Sequence, residues 1–134
     1  MTRPVGRSRI LIADDDAPTR EQLALLLATE HDVVALVGDG KAAVEAAVQL
    51  GPDLALLDIS MPVMSGIAAA RHLRKCAHAI KVVFITNHVE TAYVEEAFRL
   101  GAAGYVLKPN LAAELPIAIR TVLAGGTYRS SLLG

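Results

Sequence analysis

Five short apolar runs recur along the chain, at residues 10–13, 33–37, 54–57, 82–85 and 105–107. Their apolar character is nearly unbroken rather than alternating, which predicts strands buried on both faces, as in a parallel sheet. Between them the apolar positions fall at helical spacing: Leu23, Leu26 and Leu27; Val44, Ala47 and Val48; Ile67, Ala70 and Leu73; Val94, Ala97 and Phe98; then Leu115, Ala118, Ile119 and Val122. Asp16 reads as the cap of the first helix and Pro18 suits its first turn, with the helix lasting to about Thr29. Gly51 and Pro52 stop the second helix and Gly101 caps the fourth. Pro116 removes a backbone hydrogen bond from the last, which predicts that this helix starts late or bends there.

Strands alternating with helices through short connections predict an α/β fold, a flavodoxin-like (βα)5 three-layer sandwich with a five-stranded parallel sheet of order 2-1-3-4-5. One domain over residues 9–126 accounts for nearly the whole sequence. Residues 1–8 read as a flexible N-terminal arm, and residues 127–134 as a C-terminal tail or the start of a linker.

Composition narrows the function. The 134 residues suit one domain, and 13 basic against 14 acidic residues give a net charge of −1. That balance offers no strong attraction to nucleic acid or to an anionic membrane. No apolar run approaches the roughly 20 residues that span a bilayer, and the short run at 10–13 is no signal-peptide core. Cys76, the single cysteine, excludes an internal disulfide and reads as a small residue near a helix end. These features predict a soluble cytoplasmic protein.

Chemistry gathers where strands end. Asp14 and Asp15 follow the first strand, Asp58 the third, Thr86 the fourth and Lys108 the fifth. In the order 2-1-3-4-5 the first and third strands are neighbours at the switch point, so the sheet would bring the three carboxylates together. Their mutual repulsion calls for a cation, and a hard ion with oxygen ligands such as Mg²⁺ would relieve it. Lys108 adds a mobile positive charge and Thr86 a hydroxyl donor. Together these are the parts for phosphoryl transfer to a carboxylate nucleophile, with an aspartyl phosphate at Asp58 as product.

These strand ends, the run from Asp58 through Ile59, Ser60, Met61, Pro62, Val63, Met64 and Ser65 to Gly66, the pair Ile85 and Thr86, and the run from Gly101 through Gly104, Tyr105 and Lys108 to Pro109 resemble a response-regulator receiver domain of two-component systems. The resemblance covers almost the whole chain. It implies that Asp58 is the phosphoacceptor, that Asp15, Asp58 and the Ser60 backbone carbonyl bind Mg²⁺ directly, and that Asp14 acts through a metal-bound water. It also implies that Thr86 and Lys108 contact the phosphoryl oxygens and that Tyr105 is a rotating switch aromatic; Pro109 after Lys108 resembles the family's cis peptide, which would aim the lysine inward, and the sequence leaves the isomer open. The donor would be a phosphohistidine on a sensor histidine kinase, or a small acyl phosphate. Such a domain is a regulatory phosphoacceptor that promotes its own phosphorylation and dephosphorylation, not an enzyme acting on a separate substrate. The tail from Ala124 to Tyr128 resembles receivers of the NarL/FixJ type, which continue into a helix-turn-helix output domain controlling transcription. On that resemblance the chain is an excised receiver or acts alone.

Two rivals share parts of the pattern. A haloacid-dehalogenase-like phosphatase would use Asp14, Asp16, Thr86 and Lys108 but leave Asp58 idle. A degenerate receiver would serve only as a binding module, against which the complete acidic set argues. Four further residues stand out. Asn87 and His88, on the loop expected to close over the phosphoryl group, are candidates for tuning its hydrolysis. Leu25 and Ile117 point away from the apolar stripes of the first and last helices and are candidates for a weak homodimer face. His31, His72 and His78 read as solvated surface, the default also for His88.

Overall fold

Each apolar run becomes a strand whose neighbours are set by how the helices cross over. The computed structural model of the protein describes residues 7–77 and 79–133. Strands β1 (Arg9–Ala13), β2 (Asp32–Val37), β3 (Leu54–Asp58), β4 (Lys81–Thr86) and β5 (Gly104–Leu107) pair in parallel in the order β2-β1-β3-β4-β5. Between and after them run α1 (Ala17–Leu27), α2 (Gly40–Leu50), α3 (Gly66–Cys76), α4 (Thr91–Arg99) and α5 (Leu111–Leu123).

Alternation along the strands sends side chains to two separate cores. Ile10, Ile12, Leu54, Leu56, Val83, Ile85 and Val106 pack against Leu23 and Leu27 of α1 and Leu115, Ile119 and Val122 of α5. Leu11, Leu57, Phe84, Tyr105 and Leu107 face Ala43 and Ala47 of α2, Ala69, Ala70 and Leu73 of α3, and Val94 and Ala97 of α4. Side-chain caps fix three helix starts: Asp16 accepts from the Thr19 N–H, Asp39 from Ala42 and Ser65 from Ala68, each worth about 1 kcal/mol. None of the helices among the described residues is long and apolar enough to cross a membrane.

Several expectations are corrected. Among the described residues the sheet has six strands: β6 (Tyr128–Arg129) pairs in parallel with β5, beyond which only a tail was expected. Two residues with no apolar run carry no periodic signal. On α2 the inward positions are Gly40, Ala43 and Ala47, whereas Val48 is 60% exposed. Small residues let this helix lie close to its neighbours, so Gly40 comes against the Met64 backbone. The α5 helix does not start late at Pro116: it runs from Leu111 to Leu123 with Pro116 inside it. His31 is not at the surface but 5% exposed. Above it Arg7 folds back to bond the Asp32 carboxylate and the His31 carbonyl, and the Ser8 carbonyl accepts from Asp32. Arg7 and Ser8 are therefore tied down, not part of a loose arm. Residues 1–6 and His78 lie outside the described residues. His72 is exposed, as expected.

Candidate functional site

Register places the acidic residues. Ala13 pairs with Leu57, so the next residues, Asp14 and Asp58, emerge side by side from adjacent strands at the carboxyl edge of the sheet. Asp14 is fully buried, Asp58 is 5% exposed and Asp15 is exposed. Their carboxylate oxygens come within 4.8 Å of one another.

Thr86 pairs with Leu107 at the end of β4, so Lys108 enters from the far side, where the chain turns through a short 3₁₀ helix, Lys108–Asn110. The Lys108 Nζ lies 2.9 Å from Asp14 Oδ2 and 3.2 Å from Asp58 Oδ2. The Lys108–Pro109 peptide, whose isomer the sequence leaves open, is trans, unlike the cis peptide of the family it resembles, and the 3₁₀ turn carries the ammonium to both carboxylates.

The electrostatics follow from this packing. Burial raises the Asp58 pKa, the Asp14 charge raises it further, and Lys108 works against both. Burial acts against the Lys108 ammonium, yet the two carboxylates outweigh it and raise its pKa. Asp14 Oδ2 is buried, and the Lys108 ammonium at 2.9 Å is the partner that balances it. Three carboxylates clustered around one ammonium leave an excess of negative charge on hard oxygen donors, a set that fits a divalent cation.

Thr86 is fully buried, and its Oγ1 accepts the His88 N–H at 3.1 Å while keeping its own proton for an anionic oxygen. Tyr105, also fully buried, donates its hydroxyl to the His88 carbonyl at 2.9 Å and packs at a tilt on Phe84. Its burial pushes the phenol up to about 12. His88 is thus held at both backbone groups. Its ring is half-buried rather than solvated, stacked on Tyr93 with 4.3 Å between centroids and joined through Nε2 to the Ser60 hydroxyl. Asn87 beside it is exposed.

The loop after β3 is shaped by two backbone features. The Gly66 N–H donates to the Ile59 carbonyl, and a Cβ at Gly66 would collide with the Asp58 carbonyl. Val63 takes a left-handed φ of 67°, a conformation that β-branched residues rarely adopt. A groove of about 850 Å³ opens beside this loop, lined among others by Asp15, Ser60, Met61, Ile67 and Tyr93.

Asp14, Asp15, Asp58 and Lys108 are thus brought together, with Ser60, Thr86, Tyr105 and His88 in one connected layer beside them. Leu25 and Ile117 lie elsewhere, on α1 and α5, at 76% and 48% exposure. Sequence reasoning missed Glu114, a buried carboxylate on α5 bonded to Asn110, Tyr128, Ser130 and Ser131. A Glu in the first turn of a helix reads as ordinary surface, and three of its four partners lie 14 to 17 residues on in the supposed tail.

Comparison with known proteins is consistent across sequence and structure. The family described as response regulator receiver domain matches residues 10–120. The transcriptional regulatory protein LnrK of Bacillus subtilis is 38% identical over 120 residues, covering 88% of this chain and 54% of LnrK. The chain spans about half the length of such curated relatives. A two-component response regulator of the LuxR family from Aurantimonas superposes with a TM-score of 0.90 at 33% identity, covering 95% of this chain and 92% of that one. The receiver domain of NarL from Mycobacterium tuberculosis gives 0.84 at 34% identity, covering 89% and 98%.

Proposed function

The chain belongs to the response regulator receiver family, and on that premise we propose that Asp58 is the residue that accepts the phosphoryl group, with Lys108 and Thr86 as its partners. The observation that carries this reading is the Lys108 ammonium, shared between Asp58 and Asp14 at the edge of a parallel sheet. An Asp58 carboxylate oxygen attacks phosphorus, a new O–P bond forms, and the bond from phosphorus to the donor's imidazole nitrogen or acyl oxygen breaks. Lys108 and Thr86 meet the charge on the phosphoryl oxygens, so positioning and charge neutralisation supply most of the rate.

Asp15, Asp58 and the Ser60 carbonyl, with Asp14 through a water, are the groups that would hold Mg²⁺. When bound, that ion neutralises charge on the transferring phosphoryl group. Tyr105 is suited to report the change, since its hydroxyl and the Thr86 side chain grip the two backbone groups of His88. His88 and Asn87 are placed to tune hydrolysis.

The donor is a phosphohistidine on a sensor histidine kinase, in the cytoplasm. The names of the relatives point to transcription as the output; a helix-turn-helix output domain is what the NarL/FixJ resemblance implies, and no nucleic-acid contact is assigned to this chain. The phosphatase reading loses its ground with the family assignment, since it leaves Asp58 idle. Leu25 and Ile117 support a weak homodimer, and light scattering that finds only monomer with and without beryllium fluoride would remove it.

Intact mass after incubation with Mg²⁺ and a small acyl phosphate tests the main reading. A phosphoryl adduct that disappears in Asp58→Asn is expected. Absence of any adduct in the parent supports the binding module instead, and steady phosphate release dependent on Asp14 supports the phosphatase.

A further inference from the structure

Glu114 is 6% exposed, and a carboxylate so enclosed needs donors. Asn110 supplies one at 2.9 Å. The others all come from the C-terminal segment: the Tyr128 hydroxyl at 2.7 Å, the Ser130 hydroxyl at 2.9 Å and the Ser131 N–H at 3.2 Å. A two-residue strand holds little by itself, whereas hydrogen bonds to a charged acceptor are roughly twice as strong as neutral ones. Glu114 is therefore what anchors β6.

The same segment grips the elements around the site. Tyr128 donates its N–H to the Ala103 carbonyl and Ser130 donates its N–H to the Tyr105 carbonyl, both at 2.9 Å. The Arg129 guanidinium lies 5.0 Å from the Phe98 ring centroid on α4. Leu133 packs against the core that contains Tyr105.

Two short routes join this segment to Asp58. One runs through Lys108 and the 3₁₀ turn to Asn110, which bonds Glu114. The other runs from Thr86 through His88 to Tyr105, whose carbonyl holds Ser130.

We propose that residues 128–133 form a strap whose docking on β5 and Glu114 tightens when Asp58 carries a phosphoryl group, so that the C-terminal segment reads out the state of the site. The proposal rests on the phosphoacceptor reading above. Phosphoryl oxygens that fix Lys108 also fix the turn carrying Asn110, and engagement of Thr86 fixes His88 and Tyr105. Coupling of this kind is reciprocal: a strap that docks better on the loaded site must strengthen loading by the same factor.

Amide hydrogen exchange at Tyr128 and Ser130, in the full chain with Mg²⁺ and with or without beryllium fluoride as the phosphoryl mimic, tests this. Protection is expected to rise about fivefold or more on adding the mimic. Glu114→Gln should erase that rise and weaken beryllium fluoride binding by a matching factor. Tyr128→Phe, which removes one donor and keeps the ring, should do the same in part, and it serves if the Glu114 variant fails to fold. Normal mimic binding with unchanged exchange at these amides, or a loosened strap with unchanged mimic affinity, overturns the strap alone. A parent chain that neither binds the mimic nor forms a phosphoryl adduct overturns the phosphoacceptor reading and the strap with it.

Discussion

The Ser60 hydroxyl and His88 Nε2 lie 2.9 Å apart, joining the loop after β3 to the loop after β4 beside Asp58. The bridge braces the cover of the site, and the stack of His88 on Tyr93 backs it from α4.

His88→Ala should therefore speed loss of the phosphoryl group. One hydrogen bond of about 1 kcal/mol corresponds to roughly a fivefold rate change. Dephosphorylation followed by intact mass checks it, and a rate equal to the parent's would remove the bracing role. Asn87→Ala should alter the rate through access of the hydrolytic water, and equal rates would sink that idea.

Asp58→Asn should raise the stability of the metal-free protein at pH 7. The folded pKa of Asp58 is raised by burial first and the Asp14 charge second. The proton is thus held more tightly in the folded state, and this contribution is lost as pH rises through the folded value. At neutral pH the carboxylate is a net burden, and Lys108 keeps Asp14 as a partner when it is removed. A gain of about 1 kcal/mol corresponds to roughly 4 °C in Tm at this size. Melting in the presence of a chelator measures it, and a lower Tm for the variant would contradict the argument. Added Mg²⁺ should stabilise the parent more than the variant.

His31 should make stability fall on mild acidification. Burial lowers its pKa below the usual 6.5, and its Nδ1 is buried without a hydrogen-bond partner. The unfolded chain therefore takes up the proton first, so stability is complete above about pH 6.5 and declines as pH falls below it. Urea midpoints at several pH values should show this slope in the parent and a shallower one in His31→Leu. Because Asp58 contributes in the opposite sense, the difference between the two proteins is the informative quantity.

Gly66→Ala should be harmful, although alanine ordinarily favours a helix by 0.5–1 kcal/mol over glycine. The added Cβ would meet the Asp58 carbonyl, which belongs to backbone that cannot swing aside. Destabilisation of about 2 kcal/mol or more and slower phosphorylation by acyl phosphate are expected. Denaturant unfolding gives the first and intact mass the second, and an unchanged variant would show that the loop yields.

The strand ends were legible because buried parallel strands announce themselves as unbroken apolar runs, and a polar residue closing such a run is conspicuous. Asp14, Asp58, Thr86 and Lys108 are all of this kind. Helix faces were less legible where close packing selects for smallness. Ala43 carries a weaker hydrophobic signal than Val48, yet Ala43 is buried and Val48 is not. Glu114, His31 and β6 escaped because their environments are made by residues distant in sequence: Tyr128 and Ser130 for the first, Arg7 folding back over the turn for the second, and the open edge of β5 for the third.

That edge has a practical side. The family match ends at residue 120, eight positions short of β6. A chain trimmed to that boundary would bare the backbone of Ala103 and Tyr105, which now accepts from Tyr128 and Ser130, and would leave Glu114 without three of its donors. Unpaired strand edges recruit other strands, so the shortened protein should stick to itself and lose solubility, although it would still contain Asp14, Asp58, Thr86 and Lys108. For this chain, the last residues needed for good behaviour in solution lie beyond the last residues needed to recognise it.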